Sequence, residues 1–357
     1  MRPVLKPHPE DLPFLRKLAW AIAIAAMLLI VWRASHLLLL AFGSVLGAVI
    51  FRSAARLLQR IGIRSEGLSL GLGMALVLAL LGLIGWLLLV QFGSEISGML
   101  GDLPATIAQI EQSLRTTPVG AAVAQALQNA AGDETIANSL ANLTQGAGEV
   151  VINFAIVLVG AMFFAANPAP YLSGIVLLTP PPARLAARHA LDQVSLALRL
   201  WLKAKLITMA VMTVLISAAL WLAGLDSWAA LGLLGGLSEF VPYIGPVLAM
   251  VPAIGIAAAQ GSDLLWQTIV AYTVVRVIEA YILTPGVTRS VINIPPAVTL
   301  FVILGAGAVF GVYGVFFAGA LLVVGYVAVR EIYLRDTLGE DVKDLPRKAP
   351  RVKDQAV

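Results

Sequence analysis

Apolar runs of about 20 residues, long enough to cover a bilayer's hydrocarbon core at 1.5 Å per helical residue, recur along almost the whole chain. Leu18–Trp32, Leu37–Phe51, Leu68–Phe92, Val150–Ala166, Leu206–Ala223 and Leu264–Thr284 each read as one membrane segment. Two further runs, Trp228–Gln260 and Ala297–Val329, are too long for one ordinary span and are interrupted near their centres. With 59% hydrophobic and only 12% charged residues, the chain lacks the polar surface a water-soluble fold of this length needs. The expected class is all-α: a polytopic transmembrane bundle of about eight membrane segments, two of them broken or re-entrant hairpins, with a small extramembrane helical insert.

Charge placement orders these segments. Arg2, Lys6, Arg16 and Lys17 precede the first run, and a second run follows too closely for a cleaved signal peptide, so a retained hairpin is expected. Arg52, Arg56, Arg60 and Arg64 recur every fourth residue and line one face of a basic interfacial helix. A second such helix spans 183–205, with Arg184, Arg188, Arg199 and Lys203 opposite Leu191, Leu198 and Trp201. Residues 94–147 carry five acids against one arginine, a net −4, with Pro104 and Pro118 as punctuation. The positive-inside rule then puts both termini in the cytoplasm of a bacterial inner membrane and the acidic insert outside. Hairpins at the two long segments would also put Arg289 inside. The expected organisation is 1–93, N-terminal membrane helices with the basic helix; 94–148, the periplasmic helical subdomain; 149–335, the membrane core; and 336–357, a cytoplasmic polar tail.

Chemistry is sparse. No cysteine occurs, and His8, His36 and His189 have no metal-ligand spacing, so no metal and no cofactor are expected. GxxxxGK[ST], HExxH and GxSxG are absent, and no acids pair visibly on facing spans, so the chain is not read as an enzyme. Nor is a nucleic-acid module visible. The expected partners are a small-molecule or ion substrate, the lipid bilayer and further copies of the chain in a homo-oligomer.

What remains are the interruptions and the intramembrane charges. In VPYIGP, Pro242, Gly245 and Pro246 break a helix and free backbone carbonyls, and Tyr243 offers a hydroxyl. Broken helices with exposed backbone groups are one way membrane transporters bind solutes and ions; a plain packing kink is the alternative. Glu239 lies beside this break, while Arg276 and Glu279, three apart, can pair on one helix face. Gly305, Gly307, Gly311 and Gly314 interrupt the last long run and suit either a flexible hairpin or close helix packing.

The segment GLLGGLSEFVPYIGPVLAMVPA (232–253), the YILTP at 281–285 following Glu279, and a closing glycine-rich run before a charged tail resemble the autoinducer-2 exporter family of bacterial permeases. The similarity covers nearly the whole chain, including the insert after the third span. The resemblance implies a secondary transporter, either an exporter of a small polar solute such as autoinducer-2 or a sodium or lithium/proton antiporter. This chain departs from commoner members in having Glu239 where asparagine or an apolar residue is frequent. A non-transporting membrane scaffold is the remaining expectation; it would tolerate loss of Glu279 and fail on deletion of residues 100–145.

Overall fold

The computed structural model describes residues 29, 33–114, 136–283 and 294–340. The first apolar run apart from Leu29, the 115–135 part of the expected insert, Arg289 and the tail beyond 340 lie outside the described residues. Nine α-helices and no strand occur among the described residues. In chain order they are α1 (Ser35–Arg60), α2 (Glu66–Leu114), α3 (Ile136–Ala166), α4 (Ala169–Leu178), α5 (Arg184–Leu222), α6 (Trp228–Ser238), α7 (Ile244–Gln260), α8 (Ser262–Ile278) and α9 (Pro296–Ala328). Two of them widen into π-helical turns, α8 at Glu279–Leu283 and α9 at Val329–Thr337. Five stretches are long and apolar enough to cross a membrane: Ser35–Arg60, Glu66–Val90, Gly148–Ala166, Pro181–Leu222 and Pro296–Thr337.

Two of the helices are longer than the sequence pattern predicts. The arginine segment is no separate interfacial helix; Arg52, Arg56 and Arg60 form the last turns of α1, and the Arg52 Nε donates to the Ala165 carbonyl at 2.8 Å. That bond satisfies one of the carbonyls a helix end leaves unpaired. The basic stretch from 184 and the fifth span likewise merge into the single helix α5. Neither merger breaks the hydrogen-bond ladder, because no proline or glycine separates the basic and apolar parts. α2 passes through Pro104 and continues to Leu114.

α5 is the element that the bundle shares. Its first half packs Ala197 and Leu198 with Leu39 and Leu46 of α1 and Phe317, Val323 and Val327 of α9. Its second half packs Met212, Ile216 and Leu220 with Leu231 of α6, Ala253 and Ile256 of α7, and Tyr272 and Val275 of α8. A third cluster joins Phe51 of α1 to Ala161 and Ala165 of α3, with Leu70 and Met74 of α2 against it.

Glycines set how closely two of these pairs approach. A Cβ on Gly236 of α6 would lie 2.6 Å from the Met209 carbonyl oxygen and 2.7 Å from the Thr213 nitrogen of α5, and one on Gly232 would lie 2.7 Å from the Ser217 backbone. Four residues apart, the two glycines let one helix backbone rest on another, the small-xxx-small contact of membrane helices. Within α9 the backbone leaves helical geometry at Gly311 (φ 63°, ψ −149°). On either side of this kink, a Cβ on Gly314 would strike the Ala306 carbonyl and one on Gly307 would lie 2.8 Å from the Val315 Cγ2. Gly305 faces open space, so of the four glycines expected to act together, it alone has no steric reason to be glycine.

Gly236→Val is expected to cost about 1–3 kcal/mol by forcing α6 off α5, read as a lowered unfolding temperature in detergent. Gly311→Ala is expected to cost a similar amount, about 1–3 kcal/mol, because only glycine adopts that backbone conformation without strain. Gly305→Ala, in open space on a helix, should be neutral or stabilising by up to about 1 kcal/mol.

Candidate functional site

α6 ends at Ser238, and five residues later α7 begins. The break resolves its own backbone donors by short-range bonds: Glu239, Phe240 and Val241 each donate to the carbonyl three residues back, and Gly245 to that of Val241 at 3.1 Å. Pro242 has no donor to place, and its carbonyl accepts from the Ile244 N–H at 2.8 Å. Tyr243, between them, is forced to φ 65° and ψ −54°, the strained form of the three-residue γ-turn. It is the one non-glycine residue with positive φ among the described residues.

Aromatic packing wedges this tip between α5 and α9. The Phe240 ring stacks on Phe316 with centroids 4.6 Å apart and meets Trp201 edge-on at 5.8 Å. Gly319 of α9 leaves space beside Trp201 and the Pro242 ring. Glu239 is thereby carried inside, 3% exposed.

α8 brings the counter-charge. The Arg276 Nη1 donates to the Glu239 Oε1 at 2.5 Å and to the Glu279 Oε2 at 2.6 Å, so one nitrogen bridges two carboxylates that are 40 positions apart in sequence. Glu279 opens the π-helical turn, a widening of the helix that occurs most often at functional positions. Lys205, halfway along α5, acts electrostatically on both carboxylates. Counted at their formal charges, two acids and two bases balance in the cluster.

The sequence-derived residues therefore divide. Glu239, Arg276 and Glu279 come together, and the two acids that looked unrelated in sequence form a pair across elements, separated by a guanidinium rather than sharing a proton. Gly245 packs on the Ser238 carbonyl, and Pro246 occupies the first turn of α7, where its missing N–H costs nothing. Pro242 and Tyr243 shape the turn, but the Tyr243 side chain points outward, 49% exposed, away from the cluster. Gly307, Gly311 and Gly314 form the separate kink in α9, where the Tyr313 hydroxyl accepts from the Asn153 Nδ2 at 2.7 Å.

Lys205, Trp201 and Phe240 were missed by the sequence reading. Lys205 looked like the last cation of an interfacial helix, and only the continuity of α5 moves it to mid-helix. A second buried acid was also missed. Glu331, 1% exposed, pairs with Arg335 at 2.7 Å and lies 3.5 Å from the His189 Nδ1, tying the end of α9 to the start of α5. The four-residue spacing of Glu331 and Arg335 was its only sequence signal.

The sequence matches the model of the AI-2E family transporter over residues 21–334. It is 26% identical over 141 residues to "Putative transport protein YrrI" of Bacillus subtilis (strain 168), covering 40% of each chain. It is also 26% identical over 113 residues to "Putative transport protein YueF" of the same organism, covering 32% of this chain and 30% of that one. The chain thus spans less than half the length of either relative in these matches. The family match, by contrast, runs through every span, the helix break and the charged cluster, and this protein belongs to the AI-2E family of transporters.

Proposed function

We propose that the protein is a secondary transporter that exports a small polar solute of the autoinducer-2 kind, and that the first helix break is its solute site. The observation that carries this reading is the charge-balanced cluster of Glu239, Arg276, Glu279 and Lys205 at the tip of two apolar helices. Ionisable groups among membrane helices are costly and as a rule face a solute path or a bundle interior. In this reading α6 with α7, and the two halves of α9, are re-entrant hairpins, which brings the membrane segments to about eight. At 11 and 17 residues, α6 and α7 fall short of the roughly 20 residues a full crossing needs. Both termini then lie in the cytoplasm, residues 94–148 form the extramembrane subdomain, and the exposed apolar faces serve lipid and self-association in a homo-oligomer.

Charge balance separates the exporter from sodium or lithium/proton antiport. A site for a bare cation keeps uncompensated carboxylate, whereas here each carboxylate already has a hydrogen-bonded or nearby base. The cluster suits a neutral solute that exchanges hydrogen bonds with Arg276 while the net charge stays at zero.

Purified protein in proteoliposomes loaded with autoinducer-2 is expected to release it, with Glu239→Gln and Glu279→Gln each at least about tenfold slower at equal protein content. Unchanged release in both variants would remove the carboxylates from the mechanism, and sodium-dependent proton movement lost in Glu279→Gln would replace export with antiport. Arg276→Met leaves two carboxylates facing each other without their bridge. It is expected to destabilise the fold by about 3–5 kcal/mol, seen as loss of the monodisperse peak in detergent.

A further inference from the structure

Four buried side-chain nitrogen or oxygen atoms lack a hydrogen-bond partner among the described residues, and three of them belong to α8: the Thr268 Oγ1, the Tyr272 Oη and the Arg276 Nη2. Successive members are four residues apart, so they stand on one face of the helix, about 6 Å from one to the next. Thr268 and Tyr272 are 0% and 1% exposed. Orphaned buried polar atoms are rare, and each costs about 1–3 kcal/mol unless something unseen satisfies it.

Threonine in a helix has an easy remedy, which is to bond the carbonyl one turn back. Thr208, Thr213 and Thr273 all take it, as do Ser44 and Ser53. Thr268 does not. It lies one turn before Tyr272 on the same face of α8, and Tyr272 packs in the apolar cluster of Met212, Ile216, Leu231 and Ala253. Opposite Tyr272, α6 presents Gly235, where even a Cβ would come within 3.7 Å of the phenol oxygen. The first member of the row, Arg276, is the residue that bridges the two carboxylates through Nη1 and leaves Nη2 unused.

We infer that Arg276, Tyr272 and Thr268 line a hydrated route along α8 that carries a neutral, oxygen-rich solute between the charged cluster and the end of the bundle where α5 stops and α6 starts. This rests on the transporter reading and extends it by naming the path and the chemistry it accepts. A guanidinium edge and two hydroxyls offer donors to carbonyl and hydroxyl oxygens, and the hydroxyls also accept. The one charged group in the row is positive, which disfavours a cation along it, and the two carboxylates already held by Arg276 disfavour an anion.

The chain has no cysteine, so Thr268→Cys carries the sole thiol and differs little in size from the residue it replaces. A thiol reacts with a neutral, hydrophilic methanethiosulfonate only where water reaches and ionises it. In proteoliposomes of the full chain, Thr268→Cys is expected to react at least about tenfold faster than Ala253→Cys, which is equally buried and belongs to the apolar cluster that includes Tyr272. Equal, slow reaction at both positions would overturn the route. This measurement needs no transported solute, so it stands even if autoinducer-2 release fails.

Thr268→Val and Tyr272→Phe supply the second arm. Each removes one hydroxyl and keeps the shape, so unfolding temperature should hold or rise, while autoinducer-2 release falls about tenfold. Variants that gain stability and keep full release would mark the hydroxyls as packing leftovers and overturn the inference.

Discussion

Arg276 joins α8 to the tip of the α6–α7 pair through a single nitrogen shared by Glu239 and Glu279. In an apolar bundle this ion cluster cannot be stabilising by virtue of charge alone, since the cost of removing each group from water rivals the attraction gained. Its importance lies in the consequence of breaking it: any one member left alone becomes an uncompensated charge among hydrocarbon side chains. The positions of α5, α6 and α8 are therefore mutually conditional. The tip must carry Glu239 inward and α8 must end in a widened turn at Glu279 for both carboxylates to meet Arg276, with Lys205 near mid-helix on α5 adding its field.

The surrounding helices make room for that meeting. Gly232 and Gly236 bring α6 into backbone contact with α5, which places the end of α6 beside the middle of the longer helix. Phe240 then fills the space between Trp201 and Phe316 and fixes the tip sideways. Tyr243 holds a conformation that costs an ordinary residue about 1–3 kcal/mol, and it sits directly before the first residue of α7. Close helix contact, aromatic wedging and a strained turn all act on the few residues around Glu239.

Much of the fold was legible in the sequence because lipid imposes a simple rule: long apolar runs must be helices. The breaks at VPYIGP and Gly311 were legible too, since proline and glycine act locally. What the pattern could not show was continuity. A change between apolar and arginine-rich composition, at Phe51 and Arg52 or at Lys205, looks like a boundary, yet helical hydrogen bonding ignores side-chain polarity, so α1 and α5 run across these changes. The candidate site was half legible for the same reason. Glu239 and the Arg276 and Glu279 pair stood out as isolated charges, but their convergence depends on tertiary packing. Lys205 was hidden by its basic neighbours, and Tyr272 and Thr268 looked like ordinary helix residues.

The continuity of α2 has a mechanical side. The helix leaves its apolar stretch at Val90 and goes on unbroken to Leu114, an overhang of about 35 Å at 1.5 Å per residue. A helix bends only gently away from proline, so to the extent that Pro104 leaves the overhang straight it is a lever whose pivot lies among α1 and α3. A rocking of the span by about 10° would carry the far end through roughly 6 Å, a displacement that follows from the length alone. A small rearrangement among the packed helices would thereby become a larger excursion at the far end of α2, where a probe attached near residue 114 would register it.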